Sequence, residues 1–178
     1  MKKTFPLVSL AIFFFSATLA KADNTYKIDP GHCSIVFNTE HLKVGRAWGR
    51  FNDFSGQMKV DPADPGKSSI QFSVKSNSVD TNNEARDKHL KGPDFFDAKQ
   101  FPEITFSSNK VTKKDDKNFE ITGTLTMLGE SKEVTAQFAY AGLGTHPRGN
   151  KEILGGEATI KVKRSDFGMK YGIPNIGD

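Results

Sequence analysis

The sequence predicts an all-β fold, an antiparallel barrel with one short helical segment. Apolar and polar residues alternate with period two along most of the chain, as in a sheet with one dry face. All but one of the connections between alternating stretches have hairpin length. The inward set is rich in phenylalanine, of which the chain has 15. Glycines interrupt the longer strands, where they mark bends or bulges. A sandwich would also satisfy the alternation. The long strands, the glycines and the lack of an immunoglobulin-type cysteine pair favour a barrel.

Residues 1–22 read as a secretory signal peptide. Met1-Lys2-Lys3 is a positive start, Phe5 to Ala17 an apolar core, and Ala20-Lys21-Ala22 a small-x-small cleavage site. Residues 23–178 then form one domain of about 156 residues, enough for a real core. The expected location is periplasmic or secreted, with no stable membrane insertion after cleavage. The whole chain carries a formal +4. The signal holds Lys2, Lys3 and Lys21 and no acid, so the mature part falls to +1. That near-neutral balance gives no basic footprint for nucleic acid. Cys33 is the only cysteine, which rules out an intrachain disulfide, and no lipoprotein-type cysteine follows the signal. A small buried side chain at a strand start is the expected role for Cys33.

Tyr26-Lys27-Ile28 leads into a turn at Asp29-Pro30-Gly31. Ser34 to Val44 carries Ile35 and Phe37 at period two, and Gly45 punctuates. Trp48 to Val60 is aromatic and interrupted by Gly49 and Gly56. Ser69 to Lys75 is the cleanest alternation, with Ile70, Phe72 and Val74 on one face. A strand through Ile104 and Phe106 to Val111 reaches a solvated tip at Lys113–Asn118. Phe119 to Met127 alternates, Gly129 to Lys132 turns, and Val134, Ala136, Phe138 and Tyr140 line the next strand. Gly142 to Gly149 reads as a loop, and Ala158, Ile160 and Val162 as a last alternation. This makes about seven strands, with no internal repeat or linker.

Thr81 to Ser108 is the one stretch that is neither plain strand nor plain turn. Asn82 is the expected N-cap of a short helix, with Glu84 in its first turn. Gly92-Pro93 stops the helix. Leu90, Phe95, Phe96 and Phe101 are too apolar for a free surface connection. The segment is expected to fold back as a lid or plug on the sheet interior. Arg86 and His89 would either meet a polar head group at a pocket mouth or pin the segment in place.

Several motifs fail on context. Asp166-Phe167-Gly168 spells a kinase triplet without a glycine-rich loop or catalytic-loop sequence. Gly66-Lys67-Ser68 ends like a P-loop, but Asp61 stands where the first glycine is needed. The four histidines lack the common local ligand spacings, so no metal site and no cofactor is expected. No nucleophile–base pair is evident, which argues against an enzyme.

The ordered motifs resemble the YceI-like family of exported bacterial proteins. Those carrying the likeness are Ile28-Asp29-Pro30-Gly31-His32, Ser34 to Phe37, His41-Leu42, Arg86 to Leu90, Asp94 to Asp97, Phe101 to Phe106, Gly123 to Gly129 and Arg164 to Met169. The resemblance implies a lipocalin-like antiparallel barrel of eight strands around an elongated apolar cavity. It further implies binding of long isoprenoid chains or other amphiphilic lipids without established catalytic residues. Where the family commonly has Ser or Thr, this chain has Cys33. The family runs on from the Arg164–Met169 motif into a final strand, whereas Ile176-Gly177-Asp178 stops at that step, so the final strand is expected to be missing. The resulting open edge allows a homodimer.

The expected function is therefore binding or transport of a long-chain lipid. From the alternation, the cavity-lining candidates are Phe37, Phe54, Phe72, Phe106, Ile121, Leu125, Phe138 and Ile160, joined by Phe95 and Phe96 from the lid. The rival is a stress-related interaction module with a dry barrel.

Overall fold

The computed structural model describes residues 24–173 and 175–178. The signal-peptide reading of residues 1–22 lies outside the described residues. The strands are β1 (Asn24–Lys27), β2 (Ile35–His41), β3 (Gly45–Phe51), β4 (Phe54–Val60), β5 (Ser69–Lys75), β6 (Val79–Asp80), β7 (Glu103–Lys113), β8 (Asn118–Met127), β9 (Glu130–Thr145) and β10 (Glu152–Thr159). The helix α1 spans Glu84–Leu90.

All pairings are antiparallel. Seven strands form the main wall in the order β1-β4-β5-β7-β8-β9-β10, and β2-β3-β6 form a second sheet. The second order repeats the first three places of the main one, because β1 leads into β2, β3 into β4 and β5 into β6. The two sheets are thus one wall bent at residues 28–34, 52–53 and 76–78. Backbone bonds carry the ladder across the bend, from Asn52 N to Ser78 O (3.1 Å) and from Lys75 N to Asp53 O (2.9 Å). The result is a nearly closed barrel. Among the described residues no backbone ladder joins β1 to β10, which are the two edges of the main wall.

The core lies on the inner face, around Phe54, Val74, Ile104, Phe106, Ile121, Leu125, Met127 and Ala136. Gly123 on β8 makes room for it. A Cβ there would sit 2.7 Å from both the Phe106 ring and Ser108 Cα, closer than real contacts allow.

Several local expectations are corrected. Gly45 does not punctuate; it opens β3, and Leu42-Lys43 make the turn with φ of +53° and +58°. Two successive left-handed residues match the twist of a hairpin, even without glycine. The expected break at Gly49 falls instead at Asn52-Asp53. The first half of the loop expected at Gly142–Gly149 is strand, since β9 runs to Thr145. Gly142 at φ +147° and a bulge opposite Gly155-Gly156 carry the ladder through. The last alternation stops pairing at Thr159, although Val162 still packs on the core. Alternation reports which way side chains face, not whether a neighbour is there to pair. The helix cap is Asn83 rather than Asn82, which takes φ +58° in the turn before it. Cys33 is exposed, because the Asp29-centred turn carries residues 29–34 outside the bend.

Candidate functional site: the lumen and its lid

The lid starts on a polar knot. Asp80 closes β6 and accepts from Asn82 N (2.9 Å), from Asn52 Nδ2 (3.1 Å) and from Arg50 Nε and Nη2 (3.1 and 2.9 Å). These donors, the Asn82 amide foremost, pull its carboxyl down to about 2. Asn83 caps α1 by accepting from Arg86 N (3.0 Å). Arg86 donates to the hydroxyl and carbonyl of Thr81 (2.7 and 2.8 Å), while Asp87 accepts from Thr81 N and Oγ1 (2.8 and 2.5 Å). Of the two roles weighed for Arg86, these bonds supply the pinning one. The far end of the lid is tied by buried Ser76, which donates from Oγ to Phe101 O and from N to Pro102 O.

The plug is the loop after α1, since no residue of the helix is fully buried. Phe95 is buried, and Phe96 sets its ring edge-on to Phe51 (5.3 Å, 74°) and Phe37 (6.2 Å, 75°). His89 stands 2.9 Å from Asp94 Oδ2, its ring edge-on to Phe95 and Tyr171, both at 4.9 Å. The sequence-derived lining residues thus fall into groups. Phe37, Phe95 and Phe96 close the lid end. Phe54, Phe72, Phe106, Ile121 and Leu125 fill the middle, with Phe72 stacked on Phe106 at 5.4 Å and 18°. Phe138 is half-buried beside Phe119 (6.4 Å) toward the opposite end. Ile160 stands apart: it lies beyond β10 and is 38% exposed.

Burial relaxes away from the lid. Ile121, Leu125 and Met127 are buried, but Phe119, Phe138, Tyr140, Met58 and Tyr26 are half-buried. The glycine bulge extends this face. Gly156 pairs with Tyr140 and Leu154 with Leu143, so Leu143, Leu154 and Glu152 share the inner face with Tyr140 and Phe138. Period-two reading alone puts Leu143 outside, so only the bulge could have revealed it. At this end the Tyr26 hydroxyl of β1 donates to Glu152 Oε1 of β10, a side-chain latch between the two edge strands. That bond, with burial and the nearby carboxylate charge, pushes the Tyr26 phenol up to about 12.

A second anchor lies in a stretch whose sequence was read only as a family-like motif. The kinase-like triplet sits in a 3-10 turn at Arg164–Phe167, capped by Gly168 in the left-handed region. Phe167 is buried, and Arg164 donates to the carbonyls of Met169, Tyr171, Ile176 and Gly177. Burial pulls its guanidinium pKa down. Asp178 accepts from Ser165 N and Oγ (2.8 and 2.7 Å), which holds its carboxyl low. The chain's last residues thereby reach the open edge of β2, where Leu42 N donates to Asn175 O (2.8 Å).

Two depressions mark the surface. One of about 560 Å³ is a trough on the outer face of the wall, floored by polar residues such as Ser73, Thr105 and Thr124, and is not the lumen. The other, about 410 Å³, is a side cleft where Val134, Val162 and Phe167 meet a rim of Lys132, Lys161 and Lys163. Among the described residues no group of three or more His, Cys, Asp or Glu could hold a metal, and no helix is long and apolar enough to cross a membrane.

The YceI-like domain family matches residues 26–178. Protein YceI of Escherichia coli O17:K52:H18 is 38% identical over 172 residues, covering 96% of this chain and 88% of that protein. A UPF0312 protein of Pseudomonas aeruginosa is 39% identical over 173 residues, with the same coverage. Among solved structures, Burkholderia cenocepacia BcnA superposes with a TM-score of 0.72 at 26% identity, covering 79% of this chain and 83% of that one. The Campylobacter jejuni YceI protein does so at 0.65 and 36%, covering 80% and 83%. The chain belongs to the YceI-like family.

Proposed function

We propose that this YceI-like barrel binds or carries a long-chain isoprenoid or similar amphiphilic lipid in its lumen, without catalysing a reaction, in the periplasm or outside the cell. The observation that carries the reading is the continuous apolar inner face. It runs from Leu143 and Leu154 past Tyr140 and Phe138 to the Phe72–Phe106 stack, and away from the lid it relaxes from buried through half-buried to exposed at Leu143. Apolar residues that stay half-buried on the inside of a barrel are surface awaiting cover.

The energetics suit a carrier. Burying one methylene gains about 0.8 kcal/mol, so a chain of roughly twenty carbons would gain about 16 kcal/mol gross against water. Ordering costs remove much of that. The lipid's real alternative is a membrane, so net transfer lies near zero, as a shuttle requires.

Native mass spectrometry of the mature protein, purified without added lipid and then extracted with organic solvent, tests the reading. The expected result is one defined long-chain mass, lost in Phe138→Asp, a half-buried lumen position. A protein that arrives empty and does not take up an added polyprenyl alcohol would defeat it. That outcome would favour a dry interaction module, for which the tightly stacked middle of the barrel speaks.

A further inference from the structure

The β2–β3 hairpin carries a face that the lumen does not explain. Val36, Asn38 and Glu40 alternate outward on β2, and the register sets them opposite Arg50, Trp48 and Arg46. On this face Val36 is 61% exposed and Trp48 58%; at the tip Leu42 is 57% exposed and Val44 89%. These are four of the eight large apolar side chains exposed among the described residues, gathered on one finger. Lys43 stands between the two tip residues at positive φ. Arg46, opposite Glu40, donates to the neutral amide oxygen of Asn38, whereas Arg50 is engaged by Asp80. Across residues 35–51 the charged side chains, histidine aside, are Lys43, Arg46, Arg50 and a single acid, Glu40.

We propose that this hairpin is a docking finger for the surface of an anionic lipid bilayer. The interfacial zone of a bilayer takes this combination: aliphatic side chains at a tip, a tryptophan behind them at headgroup depth, and Lys or Arg beside the lipid phosphates. A protein partner fits less well. A stable interface covers about 800 Å² on each side. The finger is narrow, since its two strands lie only about 5 Å apart. The contact is peripheral and needs no membrane-spanning element. It also has a defined place in the barrel. The inner face of the same hairpin presents Phe37, which packs on Phe96 of the lid, so the finger docks the lid end. The inference does not depend on what fills the lumen. Its test reads the hairpin, whereas lipid extraction reads the barrel interior.

Trp48 is the only tryptophan, so its emission reports on this site alone. The mature protein would be titrated with vesicles of phosphatidylglycerol and phosphatidylethanolamine and, separately, of phosphatidylcholine, at low salt. A blue shift and co-sedimentation with the anionic vesicles, both weakened by salt, are expected. Lys43→Glu with Arg46→Glu should lower the partition coefficient about twentyfold or more, because each basic residue contributes roughly fivefold near an anionic surface. Val44→Asp should remove the blue shift. Both variants change exposed side chains, and far-UV circular dichroism checks that they fold. Unchanged Trp48 emission with anionic vesicles overturns the proposal. So does equal binding to phosphatidylcholine, or a blue shift that grows with protein concentration without vesicles, which would give the face to a second copy of the chain.

Discussion

Phe167→Ala tests whether the Arg164–Phe167 turn anchors everything that follows it. The ring is 1% exposed, among the most completely buried large side chains described. A buried phenylalanine removes about 150–250 Å² from water, and truncation to alanine gives up most of it. At about 25 cal/mol per Å², the transfer term alone is roughly 3–4 kcal/mol, and measured Phe→Ala costs run to about 3–5. That is a large share of a domain's usual stability of about 5–15 kcal/mol. The loss should spread, since Gly168 at φ +82° and buried Met169 continue directly from the ring. Arg164 then ties the segment only to its own carbonyls, and the links to β2 are Leu42 N to Asn175 O and Thr39 Oγ1 to Ile176 O. Urea unfolding followed by circular dichroism is the assay. With an m-value of about 1–3 kcal/mol per molar, the midpoint should fall by about 1–5 M at unchanged slope. Ile160→Ala, at an exposed position beyond β10, is the control and should cost under about 1 kcal/mol. A loss below about 1 kcal/mol for Phe167→Ala, with the slope unchanged, would refute the anchoring role.

Two further predictions follow from titrating groups. The Tyr26 phenol is raised from 10.0 to about 12 by its bond to Glu152, so its contribution to the seam is intact below pH 10 and lost as pH rises toward 12. An alkaline loosening of β1 and β10 in that window, seen by amide exchange and absent in Tyr26→Phe, is the expected result. The Asp80 carboxyl is lowered from 3.8 to about 2, so its contribution is present above pH 3.8 and disappears as pH falls toward 2. Asp80→Asn should therefore raise amide exchange in α1 at neutral pH and remove the acid-dependent rise; equal exchange in both proteins would count against the polar knot.

How much of this was legible in the sequence depends on what each residue reports. Ser69–Lys75 was readable to the residue, because Ile70, Phe72 and Val74 alternate strictly with polar residues, of which Gln71 and Lys75 are exposed. The lid was readable because Phe95 and Phe96 are too apolar to be left in water. The bent wall was not, since its hinge at Asn52-Asp53 carries no glycine and the strand-internal glycines pointed elsewhere. The far end of the lumen was hidden by one inserted residue. Beyond the bulge at Gly155-Gly156 every side chain changes face, and Leu143 moves from a loop reading to the inner wall. Arg86 was weighed as a head-group contact or a pin, and its bonds to Thr81 match the pin; Arg164 was noted only within a family-like motif. A lone arginine in sequence gives no sign of the carbonyls that will converge on it.

The bulge and the ring stack together bear on how a carrier of this shape would work. With the bulge, Phe138 to Leu143 spans the four residues from Ala158 to Leu154 of β10, or about 13 Å of strand at roughly 3.3–3.4 Å each. Deeper than that the lumen meets the Phe72–Phe106 stack and the buried row of Ile121, Leu125 and Met127. A chain longer than the half-buried reach must either open the stack or leave its remainder outside. Opening it forfeits an aromatic contact of about 0.5–1.5 kcal/mol and the close packing around Gly123, where the wall cannot give. Leaving the remainder outside costs nothing while that part stays in a membrane, but it exposes apolar chain to water at about 0.8 kcal/mol per methylene once the protein departs. Retention after purification therefore separates the two. If Phe106→Leu, which removes the stack but keeps the volume nearly filled, retains longer chains than the parent protein, ring opening sets the capacity of the lumen. Unchanged chain length in that variant would place the limit at the half-buried end instead.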